Sequence, residues 1–211
     1  MYNIDHFMIA SNNLESLAEH FTQLTGISVA AGGSHPDLGT RNKLIATTSA
    51  VYLELIAPDP ALETRSDLLE VIERIDVPVV HRMILLGKLS DFPAIVQAYE
   101  RAGIPAVVRP LSRATPSGEV LRWHLLMPAG DNELGIFAPL FIDWGDATHP
   151  SRSLPSAPCT LADISASHPQ PEKVQALWEE IGVDLPLQQG PEARLTIVLD
   201  TPKGRVQMQS A

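Results

Sequence analysis

The sequence predicts an α+β fold assembled from repeated βαβββ modules, and two observations carry that prediction. One unit is written three times: a short apolar strand, an amphipathic helix, a Gly-Ile or Gly-Val break, then further strands, with the breaks at Gly26-Ile27, Gly103-Ile104 and Gly182-Val183 nearly evenly spaced. Strand-like runs also outnumber helices by roughly three to one, whereas a doubly wound parallel sheet would alternate them one for one.

The elements follow in order. Residues 3–10 read as a strand; then Leu14, Leu17, Ala18, Phe21 and Leu24 fall at the spacing that lines up one helical face, with Asn12 or Asn13 as cap and Gly26 as stop. Strands are expected at 43–47 and 51–57. The connection 58–76 holds a short helix within 62–75. The second copy opens with a strand at 79–86, and its helix carries Phe92, Ile95, Val96 and Tyr99 after Ser90 or Asp91. Strands at 121–127 and 136–144 complete it. Residues 146–158 are polar and proline-rich and read as a linker. The third copy has a strand at 160–166, a helix with Val174, Leu177, Trp178 and Ile181, and strands at 195–199 and 205–208. The expected organisation is therefore a pair of modules over 1–145 (1–60 and 77–145), the linker 146–158, and a third βαβββ-like module over 159–211. The opening strands of the first two copies also overlay so that His6 and His81 share a register.

Composition narrows the function. The apolar fraction of 45% is that of an ordinary globular protein. A net charge of -10, with 15 scattered Lys and Arg, argues against a nucleic-acid partner, because neutralising phosphates needs clustered cations. No apolar run is long enough for a membrane span, and Asp5 and His6 stand where a signal peptide would be apolar. A single cysteine, Cys159, cannot form an internal disulfide, and the expectation is a cytoplasmic protein. Cys159 reads as a small buried residue, not as a nucleophile.

Four clusters can carry chemistry: Asp5-His6; the segment from Gly32 through His35, Thr40 and Arg41 to Asn42; Tyr52-Leu53-Glu54-Leu55-Ile56; and Arg113 through Gly118 to Trp123-His124. Glu54 is the sharpest, because a carboxylate in an otherwise apolar strand needs a partner or a metal to stay charged. His6 and His81 are metal-ligand candidates, each with the alternative of a hydrogen-bonded core histidine. The 32–42 segment reads either as a loop closing over a small polar ligand or as a pair of structural turns at Pro36-Asp37 and Gly39. It lacks the spacing of a phosphate loop. Arg113, Trp123 and His124 are further ligand-contact candidates.

Taken together, Asp5-His6, Gly32-Gly33-x-His35, Gly39-Thr40-x-Asn42, Tyr52 to Ile56, the Pro-x-Gly turn ending in Gly118 with Trp123 beyond it, Pro139 to Trp144, and His149-Pro150 resemble the glyoxalase-like domain family of the vicinal oxygen chelate superfamily. The resemblance implies two modules around a cleft and a divalent metal (Fe, Mn, Zn or Ni) that chelates vicinal oxygens of a substrate. Residue by residue, it makes His6 and Glu54 first-module ligands and His81 a second-module ligand. A fourth ligand is missing from 136–144, which puts glyoxalase I activity itself in doubt and leaves a two-His, one-Glu set like that of extradiol dioxygenases. The leading expectation is a metal-dependent lyase, isomerase or dioxygenase acting on a small oxygenated compound, with Glu54 catalytic; the alternative is a metal-free small-molecule-binding or sequestering protein. The third module is expected either to make a homodimer or to pack on its own chain.

Overall fold

The computed structural model describes residues 1–115 and 118–211; Pro116 and Ser117 of the expected Pro-x-Gly turn lie outside the described residues. The first module runs β1 (Asn3–Ala10), α1 (Leu14–Thr25), β2 (Ala30–His35), β3 (Thr40–Ala46) and β4 (Tyr52–Pro58). A short helix α2 (Asp67–Ile72) leads to the second: β5 (Val79–Leu86), α3 (Phe92–Arg101), β6 (Ala106–Ala114), β7 (Val120–Pro128) and β8 (Leu140–Asp143). The third comprises β9 (Thr160–His168), α4 (Pro171–Ile181), β10 (Leu187–Gln189), β11 (Arg194–Thr201) and β12 (Gly204–Gln209).

The module helices form where the apolar stripe places them, although Asp91 makes no capping bond to α3 and α4 starts without a side-chain cap. Asn13 Oδ1 accepts from the Ser16 amide at the start of α1, a cap worth about 1 kcal/mol. Gly26 closes the helix in the left-handed conformation at φ 75°.

The first two modules share one eight-stranded sheet in the order β2-β3-β4-β1-β5-β8-β7-β6. In each, the first strand lies parallel to the last, and the modules meet where β1 runs antiparallel to β5. The sheet curls until its edge strands approach: a Cβ on Gly33 of β2 would sit 2.1 Å from the Ala114 carbonyl oxygen of β6. Only glycine permits that contact, and the curl encloses a cleft. Apolar side chains on the inner face, among them Met8, Leu44, Ile84, Leu111, Leu125 and Ile142, line it. The outer face packs on α1 and α3 around Phe7, Ile9, Phe21, Phe92 and Tyr99.

The third module keeps the βαβββ element order but not the sheet order. Its strands run β10-β9-β11-β12, so β9 pairs in parallel with β10 and not with its last strand. Its core is continuous with the helix-side core, through Trp178, Leu177, Ile197 and Leu199. Trp178 Nε1 donates to the Phe137 carbonyl at 2.8 Å, and Arg101 of α3 pairs with Glu180 of α4. The odd module thus packs apolar residues of α4 and its sheet against its own chain.

Three local expectations change. The 32–42 segment is a β2–β3 hairpin and not a ligand-closing loop. The strand expected at 136–144 is confined to Leu140–Asp143, preceded by a 3-10 turn at Gly135–Phe137. The linker is tied to the first module through His149, as described below. Among the described residues no helix is long and apolar enough to cross a membrane.

Candidate functional site in the cleft

β1 and β4 set the floor of the cleft. Because they run parallel with His6 opposite Tyr52 and Met8 opposite Glu54, all four side chains share the inner face. Adjacent strand residues ordinarily point to opposite faces, yet Asp5 Oδ1 meets His6 Nδ1 at 2.5 Å. A register shift against β5 between Ile4 and His6 makes Asp5 the extra residue of a bulge, and this turns both side chains together.

The result is a buried line of charge. Asp5 also accepts from Trp144 Nε1 at 3.0 Å and meets His149 Nε2 at 2.9 Å. His6 Nε2 stands 3.4 Å from Glu54 Oε2, and its ring stacks on Tyr52 with centroids 4.5 Å apart. Asn42 Nδ2 donates to Glu54 Oε1 at 2.5 Å, and His35 Nε2 lies 3.2 Å from the same amide nitrogen. Asn42 is itself oriented by the backbone, since the Gly33 N–H donates to its Oδ1 at 2.9 Å. The paired glycines of β2 therefore serve an amide, not a phosphate. Gly32 leaves room for that amide, because a Cβ there would fall 2.0 Å from Asn42 Oδ1.

The electrostatics follow from this geometry. Burial alone would lower the His6 pKa, but hydrogen bonds and charge from Asp5 and Glu54 raise it to about 9. Burial alone would raise Glu54, and the bond and charge of His6, with His35 and Asn42, bring it down to about 2. Asp5 is likewise held well below the usual carboxylate range, its burial outweighed by the bonds from His149 and His6. At neutral pH the floor is carboxylate, imidazolium, carboxylate. His35 is different: burial pushes its pKa down, Glu54 opposes that and Arg113 reinforces it. A neutral ring that donates from Nδ1 to Thr40 Oγ1 and accepts at Nε2 satisfies both contacts.

Of the expected site residues, His6, His35, Asn42, Glu54, Arg113 and Trp123 line one cleft, which encloses a cavity of ≈ 50 Å³. Thr40 stands behind His35 as its hydrogen-bond partner. Arg41 lies away from the cleft lining and pairs with Glu15 of α1 at 3.7 Å. His124 follows Trp123 and falls on the opposite side of β7, in an open groove shared with Arg122 and Asp143. Tyr52, Trp144 and His149, present in the sequence motifs without an assigned role, also reach the charged residues of the floor. Tyr52 is signalled by its place two residues before Glu54, and His149 by the His-Pro pair in the linker, although neither signal gives a contact with Asp5 or His6.

The expected ligand set His6, Glu54 and His81 does not assemble. Met8 pairs with Arg82 and Ile9 with Val80, so His81 is the extra residue of a second bulge. Ile84, not His81, stands across from His6 and lines the cleft. His81 is buried with Nε2 unpartnered, and burial, seconded by Arg82, lowers its pKa to about 3. The last strand of the second module adds only Leu140 and Ile142 to the lining. Among the described residues no group of three or more His, Cys, Asp or Glu is arranged to hold a metal ion. A resident metal with three or four protein ligands does not fit this donor set.

The sequence matches the glyoxalase-like domain family over residues 4–182. No curated protein matches. Among solved structures, a hypothetical protein from Staphylococcus aureus is 15% identical with a TM-score of 0.65, covering 100% of this chain and 87% of that one. That overlap extends the shared fold through the third module. Methylmalonyl-CoA epimerase from Mycobacterium tuberculosis is 19% identical over 66% of this chain and 85% of that one, with a TM-score of 0.44. A Streptomyces coelicolor methylmalonyl-CoA epimerase in complex with 2-nitronate-propionyl-CoA is 20% identical over 71% of this chain and 100% of that one, with a TM-score of 0.49. With its paired modules, curled sheet and family match over most of its length, the chain belongs to the glyoxalase-like domain family of the vicinal oxygen chelate superfamily.

Proposed function

We propose that the cleft binds a small oxygenated compound and moves a proton on it, in the manner of an isomerase or lyase, with Glu54 and His6 as the proton-handling pair. The observation that supports this reading is the buried Asp5–His6–Glu54 line. Burying two carboxylates and an imidazolium costs several kcal/mol per ion before pairing, so apolar side chains would serve stability as well or better. Groups perturbed in this way by specific partners in a cleft cluster at functional sites.

The chemistry assigned to the pair conserves charge. Glu54 takes a proton from the carbon beside a carbonyl, and His6 gives its Nε2 proton to the carbonyl oxygen. The bound molecule becomes an enol, Glu54 becomes neutral and His6 loses its charge. His6 then takes back the proton on an enediol oxygen, and Glu54 delivers its proton to the neighbouring carbon, which yields an isomer; delivery to the original carbon regenerates the starting compound and exchanges its proton with solvent. Coupling the two steps matters, because Glu54 facing a charged His6 is a weak base and strengthens as that charge leaves. Asp5 keeps the ring oriented, as Asn42 does the carboxylate.

The metal-assisted version, with a divalent ion on His6, Glu54 and His81, is the weaker one because its third donor lies outside the cleft lining. A metal-free binding protein is the second reading, favoured by the low pKa of Glu54. Incubation with a panel of small 2-oxo and 2-hydroxy compounds in deuterated water separates them. Deuterium incorporation that survives a chelator and disappears in Glu54→Gln supports proton transfer. Tight binding with no incorporation supports sequestration, and incorporation that needs added metal and persists in Glu54→Gln contradicts both.

A further inference from the structure

Arg113 is the group the proposed proton transfer leaves unused. It projects from β6 into the same cleft and is only 5% exposed. Its charge is felt by His35 and by Tyr52 on the opposite wall. Among the described residues its guanidinium has no ion pair and no hydrogen bond. A guanidinium presents five donors in a fixed fork, and here they are held at the cleft lining with no protein acceptor. Glu54, the carboxylate of the cleft lining, is already engaged by His6 and Asn42 and makes no ion pair with Arg113 within 4 Å. The remaining walls around the cation are apolar, including Leu38, Leu111, Trp123 and Leu125. Such a lining offers water few polar partners.

We infer that the cleft takes a small monocarboxylate, whose carboxylate pairs with Arg113 while its remaining oxygen faces Glu54 and His6. This rests on the reading of the cleft as a ligand site and names the class of compound that fits it. A planar fork facing a cavity is matched by a two-oxygen anion. The size is set by the cavity: ≈ 50 Å³ holds about three or four waters at the volume each needs, which corresponds to a molecule of about three to six heavy atoms. Short 2-hydroxy and 2-oxo acids meet both conditions. The close approach of Gly33 to the Arg113 side chain, with a would-be Cβ 2.9 Å from its Cγ, holds the stem against β2 and leaves the guanidinium fork free for the ligand.

The test uses fluorescence. Two of the three tryptophans, Trp123 and Trp144, line the cleft, and the third, Trp178, lies in the helix-side core. Glycolate, lactate and pyruvate are titrated against the wild-type chain, with lactamide as the uncharged isostere of lactate. The expected result is saturable quenching by the acids, with lactamide binding about 10- to 100-fold more weakly. Arg113→Gln is expected to weaken the acids by a similar factor and to leave lactamide unchanged, with Arg113→Lys falling between. Lactate and lactamide binding alike, or acids binding equally to wild type and Arg113→Gln, overturns the inference. The wild-type comparison stands even where a variant folds poorly. Binding of neutral compounds alone, lost in Glu54→Gln, ends the carboxylate assignment and keeps the cleft as a ligand site. Silence of every probe ends the carboxylate assignment as well, and the deuterium experiment then decides the cleft on its own.

Discussion

Gly32→Ala is the sharpest structural perturbation available, because one methyl group meets the site's orienting amide. The new Cβ would lie 2.0 Å from Asn42 Oδ1 and 2.7 Å from the Asn42 carbonyl oxygen, both far inside contact distance. Either β2 shifts away from β3 or Asn42 rotates, and rotation breaks its bond to Glu54. Overpacking of this kind costs about 1–3 kcal/mol, and a hydrogen bond to a charged group about 1.5–3 kcal/mol. A combined loss of about 3 kcal/mol is expected, which lowers Tm by roughly 6–12 °C for a chain of this size. The assay is urea denaturation of wild type, Gly32→Ala, Asn42→Ala and the double variant. In the Asn42→Ala background the Gly32→Ala cost should fall by about half, leaving the clash with the backbone carbonyl. A single variant with wild-type stability, or an undiminished cost in the double variant, refutes the reasoning that Gly32 exists to seat that amide.

Other outcomes follow from the same geometry. His6 has a folded pKa of about 9 against 6.5 unfolded, so its contribution of about 3 kcal/mol is complete below pH 6.5 and lost as pH rises through 9. Glu54→Gln should shrink that alkaline loss between pH 6.5 and 9.5 in urea titrations, and an identical loss in both proteins would count against the pairing. His81, buried neutral with a pKa of about 3, works in the opposite sense: stability falls as pH drops below 6.5, because the unfolded chain takes up the proton first. His81→Leu should therefore be more stable than wild type by about 1 kcal/mol at pH 7, and by more at pH 4, with ligand binding unchanged; weakened binding would place His81 at the site after all.

The helices and the paired modules were legible because they are local. Apolar periodicity and the glycine stops act over a few residues, and α1, α3 and α4 form where those signals stand, with the expected cap bond made at α1. His6 and Glu54 were legible for a related reason: a carboxylate and an imidazole in apolar strands announce themselves, and parallel pairing of β1 with β4 brings them together. What stayed hidden turned on single-residue shifts. The bulge at Asp5 turns its carboxylate to the same side as His6, and the bulge at His81 takes an expected ligand out of register, because one extra residue reverses the face a side chain takes. Neither shift leaves a mark in composition. Trp144 and His149 reach Asp5 from far along the sequence, because β8, which Trp144 follows, lies two strands from β1 in the sheet. The glycine-rich segment carried its signal openly, yet the purpose of Gly33 depends on β6, a strand far away in sequence.

The charged line at the cleft floor is the account's central claim, and nitrogen-15 NMR of histidine-labelled protein reads it directly. At pH 7 the account predicts that His6 carries protons on both ring nitrogens, assigned by comparison with His6→Gln, and titrates near pH 9. A neutral His6 ring at pH 7, with one bare nitrogen, would contradict it.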